Sequence, residues 1–139
     1  MYTAIHLANY VVSKCVADGH PISNLQLQKI LYFIQKDYLD RGLVAFPDEI
    51  EAWQFGPVVP NVYYHFCGFG SMPITIRREA KINYEDAIRI DPIIESKRAL
   101  QPWDLVEETH HSGGAWEIVY DNGNGNHKVI KPELIRSKG

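Results

Sequence analysis

Residues 22–42 read ISNLQLQKILYFIQKDYLDRG, and their spacing decides the fold. Leu27, Ile30, Leu31, Ile34 and Tyr38 recur at intervals of three and four, which puts them on one stripe of a helix. Leu25, Tyr32 and Leu39 widen that stripe around the cylinder, leaving Lys29, Lys36 and Asp40 as a narrow polar strip. A helix so nearly encircled by apolar side chains must be covered on most sides, so it is the expected centre of the molecule. Ser23 and Gln26 stand at capping-box spacing, the serine oxygen accepting an orphan N–H while the glutamine reaches back. The helix is therefore expected from Leu25, with Gly42 ending it.

Upstream, Ile5, Ala8, Val12 and Cys15 mark one face of a first helix over residues 3–17, broken by Asp18, Gly19, His20 and Pro21. Downstream, a loop is expected through Asp48 and a brief extended segment at Ile50–Trp53. The stretch EAWQFGPVVPNVYYHF, residues 51–66, then sets two prolines and a glycine among large apolar side chains. Either proline suits the first turn of a helix, where its missing N–H has no intrahelical partner, so a helix starts near Gly56 or near Pro60. Val59, Val62, Tyr63 and Phe66 share its face, Gly68 to Gly70 end it, and Gly56 turns the chain into it from the extended segment.

Further on, alternation of Ile74 and Ile76 predicts a strand over 73–78, and residues 81–90 stay ambiguous. Asp91 is the expected cap of a short helix to Leu100 with Pro92 in its first turn. Another helix spans 102–111 with Leu105, Val106 and Thr109 inward. Residues 116–120 are apolar enough to be buried, without a choice between helix and strand. DNGNGN at 121–126 is a turn, Val129 and Ile130 a short strand, and residues 132–136 a last helical turn. No repeat or linker divides the chain, so residues 1–139 read as one domain.

The chain has 139 residues, 45% of them hydrophobic, and a formal charge of −3. That supports a real core and supplies no overall basic field for nucleic acid. Two cysteines without CxxC spacing, no basic leader and no run of 18 apolar residues point to a soluble, cytoplasmic protein that no membrane holds.

Several side chains could carry chemistry. His110 and His111 are adjacent, but neighbours on a helix face apart, and His6, His20, His65 and His127 lack ligand spacing, so no metal is expected. Cys67 lies two residues from His65, a spacing that a helix separates, and Cys15 sits on an apolar face as a small core residue. Gly56 before a proline is a poor phosphate cradle, and no GxGxxG is present. Among the aromatic side chains of 53–69, Trp53, Tyr63 and Phe66 fall on the core face. Phe55, Tyr64 and Phe69 stand off it, with core and partner contact both open. The candidate partner-binding set is Trp53, Phe55, Tyr63, Tyr64 and Phe69. Gln28 and Lys29 are polar positions on a buried helix and costly unless paired. Gln28 is expected to hydrogen-bond the backbone of the 53–57 corner.

The segments NLQLQKILYFIQ, IEAWQFGPVVPNVY, LVEETHHSGGAW and IKPELI together resemble the Panacea domain, also called SocA-like and often phage-associated. The resemblance implies a mainly α (α+β) fold, helices around a buried centre with a small antiparallel β element. It also implies an antitoxin that neutralises a cognate toxin by direct contact, with no enzyme activity and no cofactor. The family's characteristic positions fall on Leu27, Gln28, Lys29, Tyr32, Trp53, Gly56, Pro57, Val58, Tyr63, Thr109, His110 and Trp116, with His110 hydrogen-bonding near the end of the central helix. Two alternatives stand beside this reading. One is a small hydrolase using His110 with Cys67 or an acidic residue. The other is a DNA-binding regulator acting through Lys128, Lys131, Arg136 and Lys138 of the basic C-terminus, although such tails are usually solvated. A homo-oligomer is left open.

Overall fold

The computed structural model describes residues 1–76 and 78–139. Its central element is the helix α2, Asn24–Asp40, with the capping box in place: Ser23 Oγ accepts from Gln26 N–H and Gln26 Oε1 accepts from Ser23 N–H. The cap draws Asn24 into the first turn, one residue ahead of the expected start. Leu27, Ile30, Leu31 and Ile34 are fully buried, each stabilising the fold by roughly 1.5–3 kcal/mol against exposure.

Helix α1, Ala4–Ala17, packs on α2 and buries Leu7, Ala8, Val11, Val12 and Cys15, with Ile5 half-buried. Strand β1, Ile50–Trp53, forms as expected. The chain then turns on Gln54 and Phe55 into β2, Gly56–Val58, antiparallel to β1 with Trp53 opposite Gly56 and Ala52 opposite Pro57. The helix start near Gly56 is therefore corrected: Pro57 lies in an edge strand, where a missing N–H costs no ladder bond. Helix α3, Pro60–Phe66, begins at the second proline.

The middle of the chain differs most from expectation. No strand forms over the described residues 73–76 and 78, and Arg77 lies outside them. Ile74 is buried and donates its N–H to Ile22 O at 2.8 Å, whereas Ile76 points out, 72% exposed. Residues 84–98 form one helix, α4, Tyr84–Arg98, capped by Asn83 rather than Asp91, with Pro92 inside it. An interior proline costs about 3 kcal/mol. Against that cost stand the Asn83 cap, acidic Glu85 and Asp86 in the first turn and Lys97 and Arg98 in the last.

Helix α5, Pro102–Thr109, turns Leu105, Val106 and Thr109 inward as expected. Residues 116–120 resolve as helix α6, Ala115–Tyr120. Strand β3, Lys128–Ile130, pairs antiparallel with β1 to complete a sheet ordered β2-β1-β3, and α7, Pro132–Lys138, closes the chain. The fold is mainly α with a small antiparallel sheet: α2 is enclosed by α1, α3, α4, α5, α7 and β2. Among the described residues no helix is long and apolar enough to cross a membrane.

Candidate functional site

Where the β1–β2 hairpin meets α2, α3 and the start of α5, a groove of about 510 Å³ opens. Its walls are aromatic. Trp53 stacks on His127 at 4.2 Å between ring centres and meets the edge of Tyr63 at 4.9 Å. Phe55, on the hairpin turn, makes an edge contact with Trp103 of α5 at 5.4 Å. Tyr64 lies beside Trp53 on the outer surface. Phe55, Tyr64 and Trp103 are 46%, 60% and 60% exposed, large areas of apolar ring left in water. Trp53 and Tyr63, expected on the core face, are only half-buried and face the groove, and Phe69 packs half-buried against the core.

The floor comes from α2. Gln28 is buried; its Oε1 accepts from Val59 N–H at 2.9 Å and its Nε2 donates to Asn24 Oδ1. Asn24 passes the chain of bonds on to Tyr63 O. Gln28 thus holds backbone just beyond the corner, not within 53–57 as expected, because Lys29 occupies that place. Lys29 is fully buried rather than part of a polar strip, and its Nζ donates to Pro57 O at 3.2 Å. Among the described residues no carboxylate comes within ion-pair distance of it, and burial brings its pKa down to about 7.

The backbone is shaped around that side chain. Gly56 has φ +116°, outside the range of other residues, and a Cβ there would stand 2.7 Å from Lys29 Cε and 2.8 Å from Thr109 Oγ1. The puzzling glycine is therefore the gap through which the lysine passes. Thr109 is buried with its hydroxyl donating to Val106 O.

His110 follows it at the end of α5. Its ring stacks on Trp116 at 3.5 Å, Trp116 stacks in turn on Tyr120, and the Trp116 indole N–H donates to Trp53 O at 2.7 Å. The expected hydrogen bond of His110 is corrected: its Nε2 is buried without a partner among the described residues, and stacking on Trp116 holds the ring. Burial, then the nearby Lys29 charge, lower its pKa to about 4. Neither thiol nor carboxylate hydrogen-bonds to it among the described residues. Cys67 is exposed and Cys15 buried, and no group of three metal-ligating side chains forms among the described residues. His111 is exposed, its ring lying where a Cβ on Gly114 would have to go. Tyr32 is buried in the core, where burial pushes its phenol up to about 12.

Trp103 and His127 escaped the sequence reading. Trp103 had a signal: with Leu105, Val106 and Thr109 inward, its position falls on the outer face of α5. His127 had none, since only the β3 pairing brings the turn before it against Trp53.

Comparison with known proteins bears on this surface. A family model described as antitoxin SocA-like, Panacea domain, matches residues 27–117, which include Gln28 and Lys29 of the floor, both β1 and β2, and the His110–Trp116 stack. The chain is 34% identical over 134 residues to a protein named Antitoxin SocA from Caulobacter vibrioides (strain NA1000 / CB15N), a match covering 86% of this chain and 70% of that protein. No solved structure matches.

Proposed function

The chain belongs to the antitoxin SocA-like Panacea-domain family, and from that premise we propose that it neutralises a cognate toxin by direct contact through the aromatic groove. The observation that carries the proposal is the pair of exposed rings that line the groove, Phe55 and Trp103, with Tyr64 exposed beside Trp53. Water gains nothing from such rings, and a partner that covers them gains most of its affinity there. The protein acts by occupying the toxin, not by chemistry, within a bacterial or prophage toxin–antitoxin pair in the cytoplasm. The hydrolase alternative lacks an activated nucleophile, because His110 hydrogen-bonds to no thiol or carboxylate among the described residues.

The test is co-expression of this chain with the reading frame beside its gene, scored by growth, together with co-purification of the two products. Rescue and a stable complex are expected. Phe55→Ala and Trp103→Ala should each weaken the complex by about 30-fold. Full affinity in the double variant, or a toxic neighbour left unrestrained by the wild-type chain, would refute the proposal.

A further inference from the structure

The groove floor is electrostatically one-sided. Asp and Glu outnumber Lys and Arg, 17 to 14, yet among the described residues no carboxylate lines the groove. Glu51, on the same strand as Trp53, accepts from the Trp53 indole N–H at 2.9 Å. What lines the floor instead is amide and amine: Asn24, Gln28 and Lys29. Lys29 is wholly buried and, among the described residues, has a single carbonyl for a partner, so its charge is desolvated without a counter-ion there. A buried amine in that state gains strongly from a carboxylate brought to it, because the ion pair forms out of water and is charge-assisted. Lys29 borders the groove, and the missing side chain of Gly56 leaves the room that the lysine stem itself fills.

We infer that the groove is a recognition site for an acidic side chain: the partner inserts a segment whose Asp or Glu meets Lys29 while flanking apolar residues cover Trp53, Phe55 and Trp103. This rests on the reading of the groove as the toxin-docking surface. It adds the chemistry of what enters, a carboxylate on a protein segment, since the aromatic walls suit apolar neighbours on both sides of the charge.

Two blocked peptides test it without the toxin, acetyl-Ser-Phe-Glu-Phe-Ser-amide and its glutamine twin, titrated against the full chain at about pH 6, where the Lys29 amine holds its proton. Trp53 and Trp103 supply the fluorescence signal. The glutamate peptide should bind about tenfold tighter than its twin, one charge-assisted contact being the only difference. In Lys29→Met the two peptides should bind alike. Equal binding by the wild-type chain, preference persisting in Lys29→Met, no binding of either peptide, or a response to a short DNA duplex instead would each overturn the inference. If Lys29→Met does not fold, the wild-type comparison alone decides. The docking reading is judged separately: toxin capture lost in Phe55→Ala and Trp103→Ala, with no glutamate preference, would leave the surface standing and remove the carboxylate.

Discussion

Two sides of α2 are built to different standards. Toward α1 and α4 the polar groups are matched. Lys14 sits between Asp18 and Glu95 at 3.0 Å each, Arg98 reaches Asp18 at 2.8 Å, and Arg89 reaches Asp37. Asp86 accepts from the hydroxyls of Tyr2 and Tyr38, and Asp91 accepts from Tyr10. Toward β2 and α5 the matching is incomplete: among the described residues Lys29 lacks a counter-ion and His110 Nε2 lacks any partner, and three aromatic rings stand in water. Local rules agree with the fold on the first side and are broken on the second, the pattern expected where a surface is kept for something else.

The largest blow to this contrast falls at Gly56. Gly56→Ala forces a Cβ into Lys29 and Thr109 at a φ that alanine avoids, and should lower unfolding free energy by about 3 kcal/mol or more. Gly68, with nothing within 4 Å and no such φ, is the control, and Gly68→Ala should change stability by no more than about 0.5 kcal/mol. Urea unfolding of the two variants checks it. Equal stabilities would mean that the corner is not moulded on Lys29.

Next comes pH, which separates the two sides by window. Lys29 is depressed to about 7 when folded, against an ordinary 10.5, so the unfolded chain binds the extra proton between those values. Stability must then rise from pH 7 toward 10, by on the order of 4 kcal/mol at most. His110, held neutral down to about 4, adds a loss of stability as pH falls from 6.5 toward 4. The matched side acts outside most of this range, the Cys15 thiol, raised by burial, opposing the rise only above about 9. Asp86, held low chiefly by its Tyr2 and Tyr38 hydrogen bonds against opposing burial, contributes stability that is lost only as pH falls below about 3.8. Tyr10 and Tyr38, raised by burial and their carboxylate partners, lose theirs above about 10. Lys29→Met should abolish the rise above pH 7 and be the more stable protein at neutral pH, since an apolar stem replaces an uncompensated charge. A wild-type stability that is flat from pH 7 to 10 contradicts the burial of Lys29.

What the sequence disclosed follows the same division. Ser23 with Gln26, Pro60 and Pro102 are local signals, and α2, α3 and α5 start within a residue of where these place them. Helix α4 was half hidden because Pro92 reads as a start, while the tyrosine–carboxylate bonds that help to hold the helix through it join residues 48 to 84 positions apart. Strand β2 was hidden because its turn, Gln54-Phe55, carries no Asn-Gly signal. At the site, the aromatic set and the need to pair Gln28 were legible from composition and helix period. That the polar strip of α2 turns its lysine into β2 was not, for periodicity tells which residues share a face and never what that face meets. Trp103 and His127 joined the groove only through tertiary packing.

The smallest expected effect decides whether the exposed rim is organised before any partner arrives. Phe55 and Trp103 meet edge to face at 5.4 Å although both are exposed. Single truncations to alanine remove little burial, so each should cost no more than about 1 kcal/mol of stability. The edge contact itself should still emerge as a coupling of about 0.5 kcal/mol in a double-mutant cycle on unfolding. A coupling of that size means that hairpin and α5 hold the rings together in the free protein, so a toxin would meet a surface whose ordering is already complete. Zero coupling would mean that the rings meet only part of the time. The groove's rim would then owe its shape to the partner, unlike the matched side, whose bonds need none.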